Sequence, residues 1–182
     1  MKFAKKSLGQ NYLIDKNIIR KIINLVKIKD RNIIEIGPGT GALTDEILKR
    51  KPRSLSIIEK DKNLFKNLKI KYINNDHVNV YNADILKFNI ENIVKDDTSV
   101  FGNLPYNISS QILVNMIKFK KWPPKYKDLI FMFQKELGEK IIGRFNTSNY
   151  GRLSIIANLK LNIIKKFHVS ANCFFPKQKI TS

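Results

Sequence analysis

Ile33-Ile-Glu-Ile-Gly-Pro-Gly-Thr-Gly-Ala-Leu-Thr44 decides the fold of this chain. Asn32–Ile36 reads as a short buried strand, three glycines spaced by single residues follow it, and Ala42–Arg50 has the look of a helix. Glycine lets a backbone turn sharply and come close to a ligand where a Cβ would collide. A strand running through such a loop into a helix is how an open parallel sheet offers the crevice at its carboxyl edge to a ligand. The spacing is G-x-G-x-G, whereas a dinucleotide fingerprint needs G-x-G-x-x-G, and the Gly-Lys-Ser/Thr of a phosphate-binding P-loop is absent.

Working outward, helices and strands alternate. Lys16–Lys27 carries apolar residues at a helical period, Ser54–Glu59 reads as strand, Lys62–Ile70 as helix and His77–Tyr81 as strand. Ser99–Gly102 is a strand, Ser109–Phe119 a helix, Asp128–Gln134 a strand and Lys135–Arg144 a helix. Arg152–Lys160 is ambiguous, and Asn162–Val169 is expected to be the last strand. This alternation argues for an α/β domain with a mostly parallel sheet. Glu59 closes one strand, where a carboxylate can accept hydrogen bonds from both hydroxyls of a ribose. Asp84 closes the next and is placed to receive an adenine amino group. Two acids at strand ends beside the glycine loop favour S-adenosylmethionine over NAD.

Phe101-Gly-Asn-Leu-Pro-Tyr106 follows the Ser99–Gly102 strand and points to a reaction type. An exocyclic adenine amine is a poor nucleophile, because its lone pair is delocalised into the ring. The side-chain oxygen of Asn103 and the carbonyl of Leu104 suit the two N–H bonds of that amine and favour a pyramidal nitrogen. Pro105 fixes the turn, and Tyr106 can stack on an extruded base, an interaction worth roughly 1–3 kcal/mol. No strong general base is required, so catalysis rests on alignment and electrostatics.

Composition narrows the setting. With 182 residues, 43% hydrophobic and 27% charged, the chain suits one soluble globular domain. No apolar run approaches the roughly 20 residues that span a bilayer, and no apolar segment follows the basic start to make a secretory signal. A lone Cys173, with His77 and His168 far apart, provides neither a disulfide framework nor metal-ligand spacing. A cytoplasmic protein without a metal is expected. The net charge of +19 and pI near 10.0 point to a polyanionic partner. A/T-biased coding also enriches Lys, Asn and Ile together, and charge does not choose between RNA and DNA.

These motifs together resemble the ribosomal RNA adenine N6-dimethyltransferase family, over the whole chain. Ser7-Leu-Gly-Gln-Asn-Tyr-Leu-Ile-Asp15 looks like its amino-terminal motif, which implies that Asn11 and Leu13 border the cofactor. Gly37, Gly39, Glu59, Asp84 and Asn103 match its other cofactor positions, and Phe131–Glu136 and Tyr150–Ser154 are similar to further segments. Leu8-Gly-Gln-Asn, Asn-Leu-Pro-Tyr-Asn-Ile-Ser and Phe-Gln-Lys-Glu look like the branch that dimethylates two adjacent adenines near the 3′ end of small-subunit rRNA. The branch that modifies one large-subunit adenine is the alternative, and a non-catalytic RNA-binding assembly factor is the rival from another class. The resemblance implies a Rossmann-like class I S-adenosylmethionine-dependent methyltransferase, acting as a monomer on rRNA in an assembling small subunit.

The sequence departs from the family at Phe174-Phe-Pro-Lys-Gln-Lys-Ile180, where Gln178 stands for a family proline. Phe174 and Phe175 there either hold the target base or pack in the core. Beyond the last residue given, the family continues with a further strand and a helical RNA-contacting domain. The expectation is therefore a catalytic domain over residues 1–182 that lacks its last strand and that helical domain. Lys118-Phe-Lys-Lys-Trp-Pro-Pro-Lys-Tyr-Lys127 interleaves lysines with aromatics. Lys120 and Lys121 are expected at the active-site mouth, contacting phosphates, with a solvated loop as the bland reading. Lys2, Lys5 and Lys6 are placed in the same way.

Overall fold

The computed structural model describes residues 10–177. Lys2, Lys5, Lys6, the first three residues of the Ser7–Asp15 motif and Gln178 lie outside the described residues.

The elements run β1 (Tyr12–Leu13), α1 (Lys16–Ile23), β2 (Asn32–Ile36), α2 (Ala42–Lys49), β3 (Ser54–Glu59), α3 (Lys62–Lys71), β4 (Val78–Asn82), β5 (Thr98–Asn103), α4 (Ser109–Ile117), β6 (Tyr126–Met132), α5 (Lys135–Ile141), α6 (Arg152–Lys160) and β7 (Phe174–Phe175). Five strands form one sheet in the order β4-β3-β2-β5-β6, parallel throughout. Chain order reverses between β2 and β5, so the crevice outside their carboxyl ends is the switch point at which such sheets bind ligands.

The side-chain alternation of β2 builds both layers. Ile34 and Ile36 face a cluster with Ile58, Val100, Leu104, Ile112 and Met116, while Ile33 faces α1 and α2 with Ile19, Ile23, Ile47, Leu55, Ile57 and Phe101. All five β2 residues are buried. At about 25 cal/mol per Å² of apolar surface, burial of this kind dominates the favourable side of folding. Helix starts are set by side-chain caps: Asp15 accepts from the amides of Asn17 and Ile18, and Asp61 from those of Asn63 and Leu64. A third cluster, with Leu113, Ile117, Ile141 and Ala157, seats α5 and α6 against α4 beyond β6.

Two expectations are corrected. Asn162–Val169 is not a strand: after α6 ends at Lys160 the chain runs without regular structure to Ser170. Its apolar residues serve as anchors rather than as a ladder. Val169 enters the core, and Phe167 packs partly against it beneath the ammonium of Lys21 on α1, while Ile164 is 84% exposed. The ambiguous Arg152–Lys160 is a helix. Conversely, the sequence reading had no strand at 12–13 or 174–175. These pair antiparallel, Tyr12 with Phe175 and Leu13 with Phe174, and tie the two ends of the described chain together.

Candidate functional site

The glycine loop crosses the carboxyl edge of the sheet with all three glycines at positive φ: Gly37 at 67°, Gly39 at 61° and Gly41 at 85°. Two of them are also held to glycine by space. A Cβ on Gly39 would lie 2.7 Å from Cδ1 of Tyr12, and one on Gly41 would lie 2.6 Å from the hydroxyl oxygen of Tyr72. The loop is therefore packed between the 10–13 segment on one side and the end of α3 on the other. The open cleft above it is lined by Gln10, Asn11, Tyr12 and Leu13, by the glycine loop, by Glu59, Asp84 and Ile85, and by Asn103, Pro105 and Ile108.

Acids are arranged along this cleft in three distinct environments. Glu59 ends β3 at 6% exposure; one carboxylate oxygen accepts the Asp61 amide at 2.7 Å, and burial raises its pKa despite that bond. Asp84, two residues past β4, is paired with Lys60 at 2.8 Å, and that bond holds its pKa below the ordinary value. Glu35 is the group missed by sequence reasoning. It lies at 2% exposure beneath the loop and accepts from the Thr44 hydroxyl at 2.7 Å; burial pushes its pKa to about 7. A carboxylate in the middle of an apolar strand run was the available signal. Tyr72 was missed as well. It donates to Asp45 at 2.8 Å, and Lys71 meets the same carboxylate at 2.6 Å, which fastens α3 to the start of α2.

Asn103 ends β5, and its side-chain amide donates to the carbonyl of Asn11 at 2.7 Å. With the nitrogen committed, the side-chain oxygen Oδ1 is the atom left to accept. The 105–109 turn is closed by the Ile108 amide on the Pro105 carbonyl at 3.1 Å and by the Ser109 hydroxyl on the Tyr106 carbonyl at 3.2 Å. Leu104 is buried with its side chain in the core, and Tyr106 is half-buried just outside the cleft lining. Asn11, Leu13, Gly37, Gly39, Glu59, Asp84, Asn103 and Pro105 thus converge on one cleft.

Other candidates do not join them. Phe174 is 3% exposed and packed in the core, which leaves it no face for a base, whereas Phe175 is 43% exposed; neither lines the cleft. Lys120 and Lys121 are corrected outright. Their loop follows α4 and precedes β6, and a crossover between parallel strands returns the chain to the amino edge of the sheet. There the Lys120 amide donates to Glu91 at 3.1 Å and Lys125 pairs with Asp96 at 3.5 Å, both just before β5. The loop sits at the end of the sheet opposite the cleft.

The cleft suits S-adenosylmethionine. A buried carboxylate at the end of β3, the apolar side chains of Ile58 and Ile85, the Asp84 carboxylate and the glycine backbone all line the one cleft. Among the described residues no cluster of His, Cys, Asp and Glu could hold a metal ion, and no helix is long and apolar enough to cross a membrane.

The family model described as ribosomal RNA adenine dimethylase matches residues 1–182. A ribosomal RNA small subunit methyltransferase A from Pelagibacter ubique is 46% identical over 98% of this chain and 68% of its own length. One from Malacoplasma penetrans is 37% identical over 99% of this chain and 64% of its own. Among solved structures, a dimethyladenosine transferase from Plasmodium falciparum superposes with a TM-score of 0.82 at 31% identity, covering 93% of this chain and 60% of that one. The 23S rRNA methyltransferase ErmE reaches 0.72 at 24% identity, which is a likeness of fold. The chain thus spans about two thirds of the length of its curated relatives.

Proposed function

The chain belongs to the ribosomal RNA adenine dimethylase family, and from that premise we propose that it methylates adenine N6 twice, at two adjacent adenines near the 3′ end of small-subunit rRNA. It is an S-adenosylmethionine-dependent methyltransferase with a Rossmann-like α/β fold. Residues 1–182 act as its catalytic domain, monomeric and cytoplasmic, on RNA in an assembling subunit. S-adenosylmethionine supplies an electrophilic methyl group on a sulfonium and leaves as S-adenosylhomocysteine.

The observation that carries the reading is the Asn103 amide fixed by the Asn11 carbonyl at the mouth of the cleft. Because Nδ2 is held, Oδ1 accepts one N6–H of the target adenine, and the Leu104 carbonyl accepts the other. The nitrogen lone pair is drawn out of conjugation and aimed at the methyl carbon. S-adenosylmethionine bound in the cleft would supply the methyl group to this nitrogen, whose proton would then pass to solvent. Pro105 holds the turn, and Tyr106 stacks on the base, repaying part of the few kcal/mol that extrusion costs. Glu59 would hold the ribose of the donor, Asp84, now paired with Lys60, would receive its adenine amine, and Gly37, Gly39, Asn11 and Leu13 would border it.

The test is to incubate the chain with methyl-labelled S-adenosylmethionine and under-methylated small ribosomal subunits, then digest the RNA to nucleosides. Labelled N6,N6-dimethyladenosine is expected, and Asn103→Ala should lower the rate by about 10²–10³, the usual worth of one preorganised polar group. Label confined to another nucleoside, or an Asn103→Ala rate equal to the parent's, overturns the assignment.

A further inference from the structure

The sheet face that carries Ile34, Ile36 and Ile58 towards the cleft turns polar at its other end. Strand register places Asn32 beside Ser54 and Ser56 beside Asn79, a row of small polar side chains across β2, β3 and β4. The connection from β4 to β5 covers this face with only a 3-10 turn, Ile90–Asn92, instead of a full helix. Between sheet and turn lies a cavity of about 260 Å³. Its polar floor lies at the amino edge of the sheet, with Asn32 five residues along β2 from Gly37, roughly 17 Å at ~3.3 Å per residue, while its Tyr81 wall stands beside Ile58 of the cleft.

Its floor and its rim differ. On the floor Asn32 donates to the Asp96 carbonyl at 3.1 Å and accepts from Ser54 at 2.8 Å, and Thr98 bonds to the Lys95 backbone. Among the described residues, Ser56 on the floor and Asn79 and Asn92 on the rim have no side-chain partner, and the Lys95 ammonium is unpaired. Tyr81 forms one wall, steadied by Phe88 with ring centres 5.5 Å apart. Two primary amides and a hydroxyl match the donor and acceptor edges of a nucleobase, an aromatic wall matches its face, and a lone ammonium matches one phosphate.

We propose that this cavity binds an unpaired nucleotide of RNA, its base among Ser56, Tyr81, Asn79 and Asn92 and its phosphate on Lys95. The inference rests on the proposed RNA substrate but concerns a surface away from the methyl-transfer cleft. Of the nearby acids, Glu91 accepts the Lys120 amide and Asp96 pairs with Lys125, while Asp97 stands exposed beside them, so the one ammonium of Lys95 does not make the cavity strongly basic and neutral groups carry the recognition. That favours RNA over a free nucleotide. A free nucleotide would need a phosphate cradle of glycines or a helix start, which this cavity lacks, whereas an RNA chain draws its affinity from the rest of a surface with net charge +19.

Asn79→Ala/Asn92→Ala removes both amides at exposed positions and leaves the core untouched; Ser56→Met instead fills the cavity from the sheet. Each is compared with the parent chain, in the presence of S-adenosylhomocysteine, for binding to deproteinised small-subunit rRNA and to adenosine monophosphate. Both variants should bind the rRNA about tenfold more weakly, the worth of two hydrogen bonds, with S-adenosylmethionine affinity unchanged. An rRNA affinity equal to the parent's overturns the inference. So does a variant that loses only adenosine monophosphate, which would make this a mononucleotide site. A parent that neither binds this rRNA nor methylates under-methylated small subunits sinks the proposed function as well, whereas a parent that does both and variants that equal it sink this inference alone.

Discussion

Glu35 and Gly39 show at the level of single residues how the cleft constrains its own composition. The Glu35 carboxyl is buried under the cleft with one hydroxyl bonded to it, and burial, helped by the charges of Asp45 and Glu59, outweighs Thr44 and Lys71 and raises its pKa from 4.5 to about 7. A folded-state pKa above the unfolded one means that the native state binds the extra proton. Stability is therefore greatest below pH 4.5 as far as this group is concerned, falls as pH rises from there to about 7, and levels off above. At 1.36 kcal/mol per pKa unit the loss is about 3 kcal/mol. Unfolding free energies from urea melts at pH 5 and pH 8 should differ by an amount of that order in the parent, and the difference should shrink in Glu35→Gln; an equal difference in both would assign the pH dependence elsewhere. Gly39→Ala makes a second test. The new Cβ meets the Tyr12 ring at a backbone φ of 61°, and strain of this kind costs roughly 1–3 kcal/mol. The chain should stay folded while its affinity for S-adenosylhomocysteine, measured by calorimetry, falls by about tenfold or more.

At the level of elements, the β1–β7 ribbon is the least obvious piece and the one that closes the site. It hydrogen-bonds the cleft-lining 12–13 segment to residues 174–175, and the Ile14 amide adds a bond to the Cys173 carbonyl at 2.8 Å. Its two phenylalanines divide packing from contact. Phe174→Ala opens a hole in the core and should cost about 3–5 kcal/mol. Phe175→Ala, at an exposed position, should stay within about 0.5 kcal/mol of the parent. If Phe175→Ala nonetheless slows methylation while S-adenosylmethionine affinity holds, that side chain touches RNA; an unchanged rate confines the pair to packing. No sequence period announces a two-residue strand, and its partner lies at the far end of the described chain, so this ribbon was illegible in advance. β2, β3, α2 and the Asn103 turn were legible because apolar runs end there in glycine, acid or proline. Asn162–Val169 misled because apolar residues that anchor a crossing look like those of a strand. The placement of the 118–127 loop was open to topology alone, since the chain must return to the amino edge before each parallel strand.

For the whole molecule, the cleft is made from pieces scattered between Gln10 and Met132, so the ligand that fills it binds the folded chain and not the unfolded one. By mass action, a ligand at 100 times its Kd adds about 2.7 kcal/mol. A chain of this length gains roughly 2–4 °C in Tm per kcal/mol, which sets the expected rise with saturating S-adenosylhomocysteine at about 5–11 °C. The rise should vanish in Glu59→Ala if that buried carboxylate holds the ligand ribose as proposed, and persist in Asn79→Ala/Asn92→Ala, whose amides lie outside the cleft. Salt separates the ligand from the RNA in the same molecule. A surface of net charge +19 binds RNA through released counterions, so RNA affinity must fall steeply between 50 and 200 mM salt, while the S-adenosylhomocysteine shift should stay nearly constant. An RNA affinity insensitive to salt would mean that the lysine surface plays no part in binding, and the polyanion inference drawn from composition would fall with it.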